Sequence, residues 1–167
     1  GITGEDITHN VRTIKNVPLR INALSKGSLI EVRGEVFLSK KGFAQLNERA
    51  EREGTKIFVN PRNTAAGGIR QLDSRNTAKI PLQMYCYSVG FVQGVVLPDK
   101  LSEVFDKLAG WGLPVNPEQS AERGIAGCVH YCEELLKKRN TLEYEIDGAV
   151  IKVDDFNAQK KLGQNSK

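Results

Sequence analysis

From Leu29 to Leu38 the chain reads Leu-Ile-Glu-Val-Arg-Gly-Glu-Val-Phe-Leu, and this alternation commits the segment to an extended strand with two unlike faces. Ile30, Val32, Val36 and Leu38 make the apolar face, and Glu31, Arg33 and Glu35 make the opposite one. Residues 144–153, Tyr-Glu-Ile-Asp-Gly-Ala-Val-Ile-Lys-Val, predict a second strand of this kind. There Ile146, Gly148, Val150 and Lys152 share one face, while Asp147, Ala149 and Ile151 share the other. An acid and a lysine at fixed spacing on an otherwise apolar strand read as a site, so the fold has to carry charge on two strands.

Other segments follow different periods. Residues 40–53 place Phe43, Leu46 and Ala50 at i, i+3 and i+7 and meet Gly54 as a helix stop. Residues 101–108 and 128–138 predict further helices, and 156–162 a short one ending at Gly163. Residues 57–59 predict a brief strand and 81–91 a longer one rich in Tyr, Cys and Val, with Trp111-Gly-Leu-Pro114 closing the unit around 101–108. Residues 4–19, with Val11, Ile14 and Val17, predict a short helix or turn laid onto the body. Residues 60–73 are rich in small side chains, with Arg62 and Arg70 as the long cations, a composition that lets a backbone approach a neighbour closely. Strands and helices without regular alternation predict an α+β domain with largely antiparallel sheets and flanking helices. At 167 residues the chain is one domain or a large piece of one.

The 40% hydrophobic and 26% charged fractions are those of an ordinary globular chain. No apolar run approaches the roughly 18 residues of a membrane span, and no basic-then-apolar leader is present, so no membrane partner is expected. Cys86, Cys128 and Cys132 form no regular framework, which favours a reducing, cytosolic setting. A net charge of +4 and a pI near 9.0 suit a polyanionic partner, though proteins that bind none often share them.

Each candidate residue has a plain alternative. Glu35 or Asp147 alone is as readily a solvated strand residue, Arg62 and Arg70 alone are more often surface arginines, and Tyr87 by propensity belongs to a core, although a ring at a strand end also stacks on a base. Together, acids on two strands with Lys152 and two arginines compose a pocket suited to phosphate and magnesium, because cations take phosphate oxygens and carboxylates hold a hard metal. Cys128 and Cys132 share a helical face from which His130 is turned away, and their spacing matches no zinc site. His9 stands beside no nucleophile motif.

Three segments in order, Glu31-Val-Arg-Gly-Glu-Val-Phe37, Asn60-Pro-Arg-Asn63 through Arg70-Gln-Leu-Asp73, and Glu145-Ile-Asp-Gly-Ala-Val-Ile-Lys152, resemble successive signatures of the adenylation domain of bacterial NAD-dependent DNA ligases. Thr3-Gly-Glu-Asp-Ile-Thr8, Asn10-Val-Arg-Thr-Ile14 and Trp111-Gly-Leu-Pro114 are similar to that family as well, so the likeness spans nearly the whole chain.

The resemblance implies a nucleotidyltransferase, ATP-grasp-like fold in which a lysine takes AMP from NAD as a phosphoramidate and releases nicotinamide mononucleotide. AMP then passes to the 5′ phosphate of a nick in double-stranded DNA, and the 3′ hydroxyl displaces it to seal the strand in replication and repair. It implies that Glu35 contacts the adenosine ribose, Lys152 the α-phosphate, and Tyr87 the adenine face. It further implies that Asp147 supports the metal or the reacting lysine, with Glu35 a second magnesium carboxylate. Arg62 and Arg70 would engage ribose, AMP phosphate or nick phosphate, and Arg139 would lie near the same pocket. NAD and magnesium are the implied cofactors, zinc belongs to another module of the family, and the implied enzyme is a cytoplasmic monomer. The family's nucleophile sits in Lys-x-Asp-Gly, a tetrapeptide these 167 residues lack, since Lys152-Val-Asp-Asp155 has no glycine. The lysine is therefore expected before Gly1 and the last signature beyond Lys167, which makes residues 1–167 a partial adenylation domain, unable to adenylylate itself. ATP-dependent polynucleotide ligases, RNA ligases and capping guanylyltransferases share the fold, with residues 60–73 favouring the NAD branch. A noncatalytic DNA clamp held by phosphate contacts is the alternative outside enzymes.

Overall fold

The computed structural model describes residues 2–163. Its elements in chain order are α1 (Thr8–Val11), β1 (Leu29–Leu38), α2 (Lys40–Glu53), α3 (Pro61–Ile69), α4 (Ser74–Ala78), β2 (Leu82–Gln93), α5 (Leu101–Gly110), α6 (Gly124–Lys138), a 3-10 turn at Arg139–Thr141, and α7 (Phe156–Leu162). The α+β expectation holds, with a single two-stranded antiparallel sheet, β1 against β2, among the described residues. Phe37 meets Tyr85 near one end of the pair and Ser28 meets Gly94 at the other, the opposed order of antiparallel strands.

The chain divides into two compact units. The first comprises residues 2–20, Glu35–Tyr85 and Glu143–Glu145. Its core is Ile14, Leu38, Ala65, Ile69 and Leu82, with Val11, Val17, Val36, Phe43, Leu46 and Met84 packed around it. The apolar face read from β1 is thus the face that turns inward at Val36 and Leu38. α2 forms where its period placed it: Ser39 Oγ accepts the Gly42 N–H at 2.9 Å as N-cap, and Gly54 ends the helix at φ +66°, a left-handed conformation that favours glycine.

Asn side chains do much of the joining in this unit. Asn10, 6% exposed, donates through Nδ2 to the carbonyls of Ile69 and Gln71, both at 2.8 Å. Asn16 pairs with Met84 as a strand neighbour would, donating to its carbonyl at 2.9 Å and accepting its N–H at 3.0 Å. Asn47 does the same for Phe58, at 2.9 and 2.8 Å.

That last pair corrects the strand expected at residues 57–59. The segment lies in no ladder, because the N–H and C=O of Phe58 are both taken by a side-chain amide from α2. Residues 60–73, read only as a small-residue segment, contain a helix: Asn60 Oδ1 caps the Asn63 N–H at 3.1 Å and Pro61 occupies the first turn of α3, where its missing N–H costs nothing.

The second unit comprises Ile21–Gly34, Cys86–Leu142 and residues 146–163. Val104 and Leu108 of α5, 1% and 0% exposed, are its deepest apolar side chains, and Cys86, Leu135 and Leu142 are also buried. The turn after α5 returns to β2, where the Cys86 N–H donates to the Pro114 carbonyl at 2.8 Å beside a parallel bridge between Cys86 and Val115. α6 begins at Gly124, four residues before the expected start, and Tyr131 on it donates its hydroxyl to the Glu118 carbonyl at 2.6 Å.

The strand expected at residues 144–153 does not form a ladder either. Alternation supplies two faces, but a strand also needs a second backbone edge, and the two-stranded sheet of β1 and β2 offers none to residues 144–153. Val150, Ile151 and Val153 are consequently exposed, at 82, 62 and 41%.

Candidate functional site

Of the residues singled out in the sequence, Tyr87, Asp147, Lys152 and Arg139 belong to the second unit and Glu35, Arg62 and Arg70 to the first. Tyr87 is not a core residue: it lies on β2 and is 46% exposed. The Lys152 ammonium stands over that ring, 5.4 Å from its centroid, a cation–π contact. An exposed aromatic plate with a cation at its face can accept a flat, π-rich group and an adjacent anion together. Asp147 is exposed five residues before Lys152, and Arg139 is exposed in the 3-10 turn after α6.

In the first unit Glu35 is exposed on β1, two residues before Phe37 and on the same side of the strand. Phe37, Tyr85 and Tyr144 form a ring cluster with centroid separations of 4.8, 5.5 and 5.7 Å, and the neighbouring Glu143 carbonyl accepts the Lys40 N–H at 2.7 Å. The residues leading into Glu145-Ile-Asp are therefore anchored by aromatic packing, for which the spacing gave no sign. Glu31 and Arg33, the other charges of β1, pair with each other at 2.9 Å.

Arg62 lies in the first turn of α3 and Arg70 at its C-cap, both exposed, so their backbones stand about 12 Å apart along the helix axis. Arg70 Nε also reaches the Ala66 carbonyl at 3.4 Å. The glycines between them differ in duty. A Cβ on Gly68 would lie 2.8 Å from Ile80 Cδ1, so this close approach is to the unit's own core, whereas a Cβ on Gly67 would meet nothing within 4 Å.

One contact that no sequence pattern signals bears on Lys152. Asp154 accepts from Ser102 twice, from its N–H through Oδ1 and its hydroxyl through Oδ2, both at 2.7 Å. The Ser102 hydroxyl is the main reason the Asp154 carboxyl is held below its ordinary range, with the N–H second. A pattern search could have noted that α5 starts without a capping side chain of its own, but not which distant acid would supply it.

Among the described residues no group of three or more His, Cys, Asp or Glu side chains is gathered as a metal cage. Magnesium bound on phosphate needs only one or two carboxylates, and Asp147 or Glu35 is of the right chemistry to supply one. All three cysteines are free, and burial pushes the Cys86 thiol up. A shallow concavity of about 580 Å³ on α5, lined by Pro98, Glu103 and Trp111 among others, includes none of the candidate residues. No described helix is long and apolar enough to cross a membrane.

Comparison with known proteins agrees with the signatures. The profile of the NAD-dependent DNA ligase adenylation domain matches residues 1–167. A DNA ligase of Nitrosococcus oceani is 52% identical over 163 residues, 98% of this chain and 24% of that protein. One from Methylococcus capsulatus is 51% identical over the same shares, and one from Geobacter sulfurreducens 46% identical over 167 residues, all of this chain and 25% of the relative. The chain thus spans about a quarter of the length of these relatives. Matched from end to end, the chain belongs to the NAD-dependent DNA ligase adenylation domain family.

Proposed function

We propose that this chain is the central part of an adenylation domain of nucleotidyltransferase, ATP-grasp-like fold. That domain would transfer AMP from NAD to an enzyme lysine and then to the 5′ phosphate of a DNA nick, which the 3′ hydroxyl seals. The observation that carries the reading within the molecule is Lys152 poised over the exposed ring of Tyr87. Tyr87 stacks on adenine, and Lys152 moves from the ring face to the adjoining α-phosphate, where charge develops during transfer. Glu35 takes a ribose hydroxyl, Arg62 and Arg70 take separate phosphate or ribose groups, and Arg139 adds positive charge near the nucleotide. Asp147, or Glu35, supplies the carboxylate for magnesium, which when bound neutralises phosphate charge. The partners are NAD and nicked double-stranded DNA, and the enzyme acts as a cytoplasmic monomer in replication and repair.

The attacking lysine is not among these residues, because Lys-x-Asp-Gly does not occur in them. Lys152 is a charge-stabilising group in this reading. Lys152→Ala should lower adenylyl transfer in a complete ligase by about 100-fold or more, corresponding to roughly 3 kcal/mol of lost electrostatic stabilisation. Retention of near-normal transfer in that variant would remove Lys152 from the mechanism.

A further inference from the structure

The Lys152–Tyr87 pair depends on two backbone segments distant in sequence, and α5 grips both of them. At its start, four hydrogen bonds tie residues 99–102 to residues 154–156: Leu101 N–H to the Asp154 carbonyl and Phe156 N–H to the Asp99 carbonyl, both at 2.9 Å, and the two bonds from Ser102 to the Asp154 carboxylate at 2.7 Å. An antiparallel bridge between Lys100 and Asp155 runs through the same place. Beyond its end, the Pro114 carbonyl takes the N–H of Cys86, the residue before Tyr87. Between these grips Val104 and Leu108 are almost wholly buried, so the helix has little freedom to slide.

On the other side of Lys152, residues 146–151 lie in no strand ladder, and their backbone is not fixed in that way. A set of described bonds holds Lys152 from its C-terminal side. The Val153 carbonyl accepts from the Gln159 side chain, and Asp155 Oδ1 accepts the Ala158 N–H at 2.9 Å to start α7. Within this knot the Asp154 carboxylate binds α5 through both of its oxygens. Both bonds are charge-assisted, and the one from the N–H is shorter than an ordinary neutral N–H···O bond.

We propose that Asp154, held by Ser102, is a positioning residue for Lys152, and that α5 is the strut that holds the segment bearing Lys152 beside Tyr87, with the ammonium over the ring when no nucleotide is bound. This rests on the reading of Lys152 as the phosphate-contacting cation. Without the carboxylate, the segment bearing Lys152 is joined to the start of α5 by backbone bonds alone, and the ammonium spends less of its time at the ring.

The test is made at two levels. On this chain, the Lys152 ε-methylene protons should be displaced upfield in the NMR spectrum by the Tyr87 ring current. Asp154→Ala should remove that displacement, Ser102→Ala should reduce it, and Ser102→Thr, which retains the hydroxyl, should preserve it. An unchanged displacement in a folded Asp154→Ala or Ser102→Ala chain overturns the proposal, and the milder serine variant keeps the test open should Asp154→Ala unfold. In a complete ligase, Asp154→Ala should slow adenylyl transfer at saturating NAD about tenfold. The same change made on top of Lys152→Ala should add nothing. An equal slowing in both backgrounds shows that Asp154 acts through some other group and overturns the proposal. If Lys152→Ala alone leaves transfer normal, the functional reading of Lys152 fails, while the ring-current result still decides whether Asp154 positions it.

Discussion

Asn10 shows how much of this structure rests on single polar side chains. Its Nδ2 is buried and donates to the carbonyls on both sides of Arg70, so the residue closes the end of α3 and sets the backbone from which Arg70 extends. Replacing it with alanine strands two carbonyls and opens a small cavity; the expected cost is about 2 kcal/mol, measurable as a lower urea midpoint with an unchanged slope. Asn10→Asp should cost at least as much at neutral pH, because a carboxylate would face two carbonyl oxygens. A variant within experimental error of the parent would mean the two bonds are replaced by water. Thr77, 1% exposed, serves the same end of α3 by donating to the Gly68 carbonyl at 2.8 Å. None of these bonds has a sequence period, since each joins a short side chain to a backbone group of another segment.

Among the elements, those set by local rules were legible and those set by a partner were not. α2 was readable from Phe43, Leu46, Ala50 and Gly54, and α7 from its closing glycine, because period and cap lie within each segment. Residues 57–59 and 144–153 have strand-like composition, yet a ladder depends on what lies alongside, and for Phe58 that is the Asn47 amide. The family was legible in the wording of the signatures, whereas the Asp154–Ser102 grip and the Phe37–Tyr85–Tyr144 cluster were not legible at all. α3 offers a test of why its glycines are there. Gly67→Ala meets open space and should stabilise the helix by up to about 1 kcal/mol in thermal unfolding; if it also weakens DNA or nucleotide binding, the bare backbone at Gly67 is a ligand contact. Gly68→Ala has to displace Ile80 and should lose that gain. α5 offers a test by pH. Asp154 titrates lower in the fold than its ordinary 3.8, so it favours the folded state above that value, and the contribution is lost as pH falls through the depressed folded value. The stability gap between the parent and Asp154→Asn should be full at neutral pH and close as the pH drops below about 3.8. A gap that persists in acid would place the effect in packing rather than in the ionised carboxylate.

For the whole molecule, the division of labour follows from which chemistry these residues carry. They supply an aromatic plate at Tyr87, the cations Lys152, Arg62, Arg70 and Arg139, and the acids Glu35 and Asp147, but no Lys-x-Asp-Gly. In the proposed reading these are binding groups without the attacking lysine, which should recognise a nucleotide without forming a bond to it. The prediction is that this chain, incubated with magnesium and NAD, keeps its mass, and that a complete ligase carrying the same 167 residues gains one AMP. Running NAD and ATP in parallel separates the branches of the fold: an adduct with NAD alone supports the NAD-dependent mechanism, and one with ATP alone refutes it. An adduct on the isolated chain would show that a lysine within it, with Lys152 foremost, is nucleophilic, and Lys152 could then no longer be read as a purely charge-stabilising group. Absence of an adduct in the complete ligase with either donor, together with DNA binding that falls steeply with salt, would leave the electrostatic clamp as the function of the basic surface. Intact-mass measurement suits the question because it reads the covalent step alone, independently of how tightly nucleotide or DNA is held.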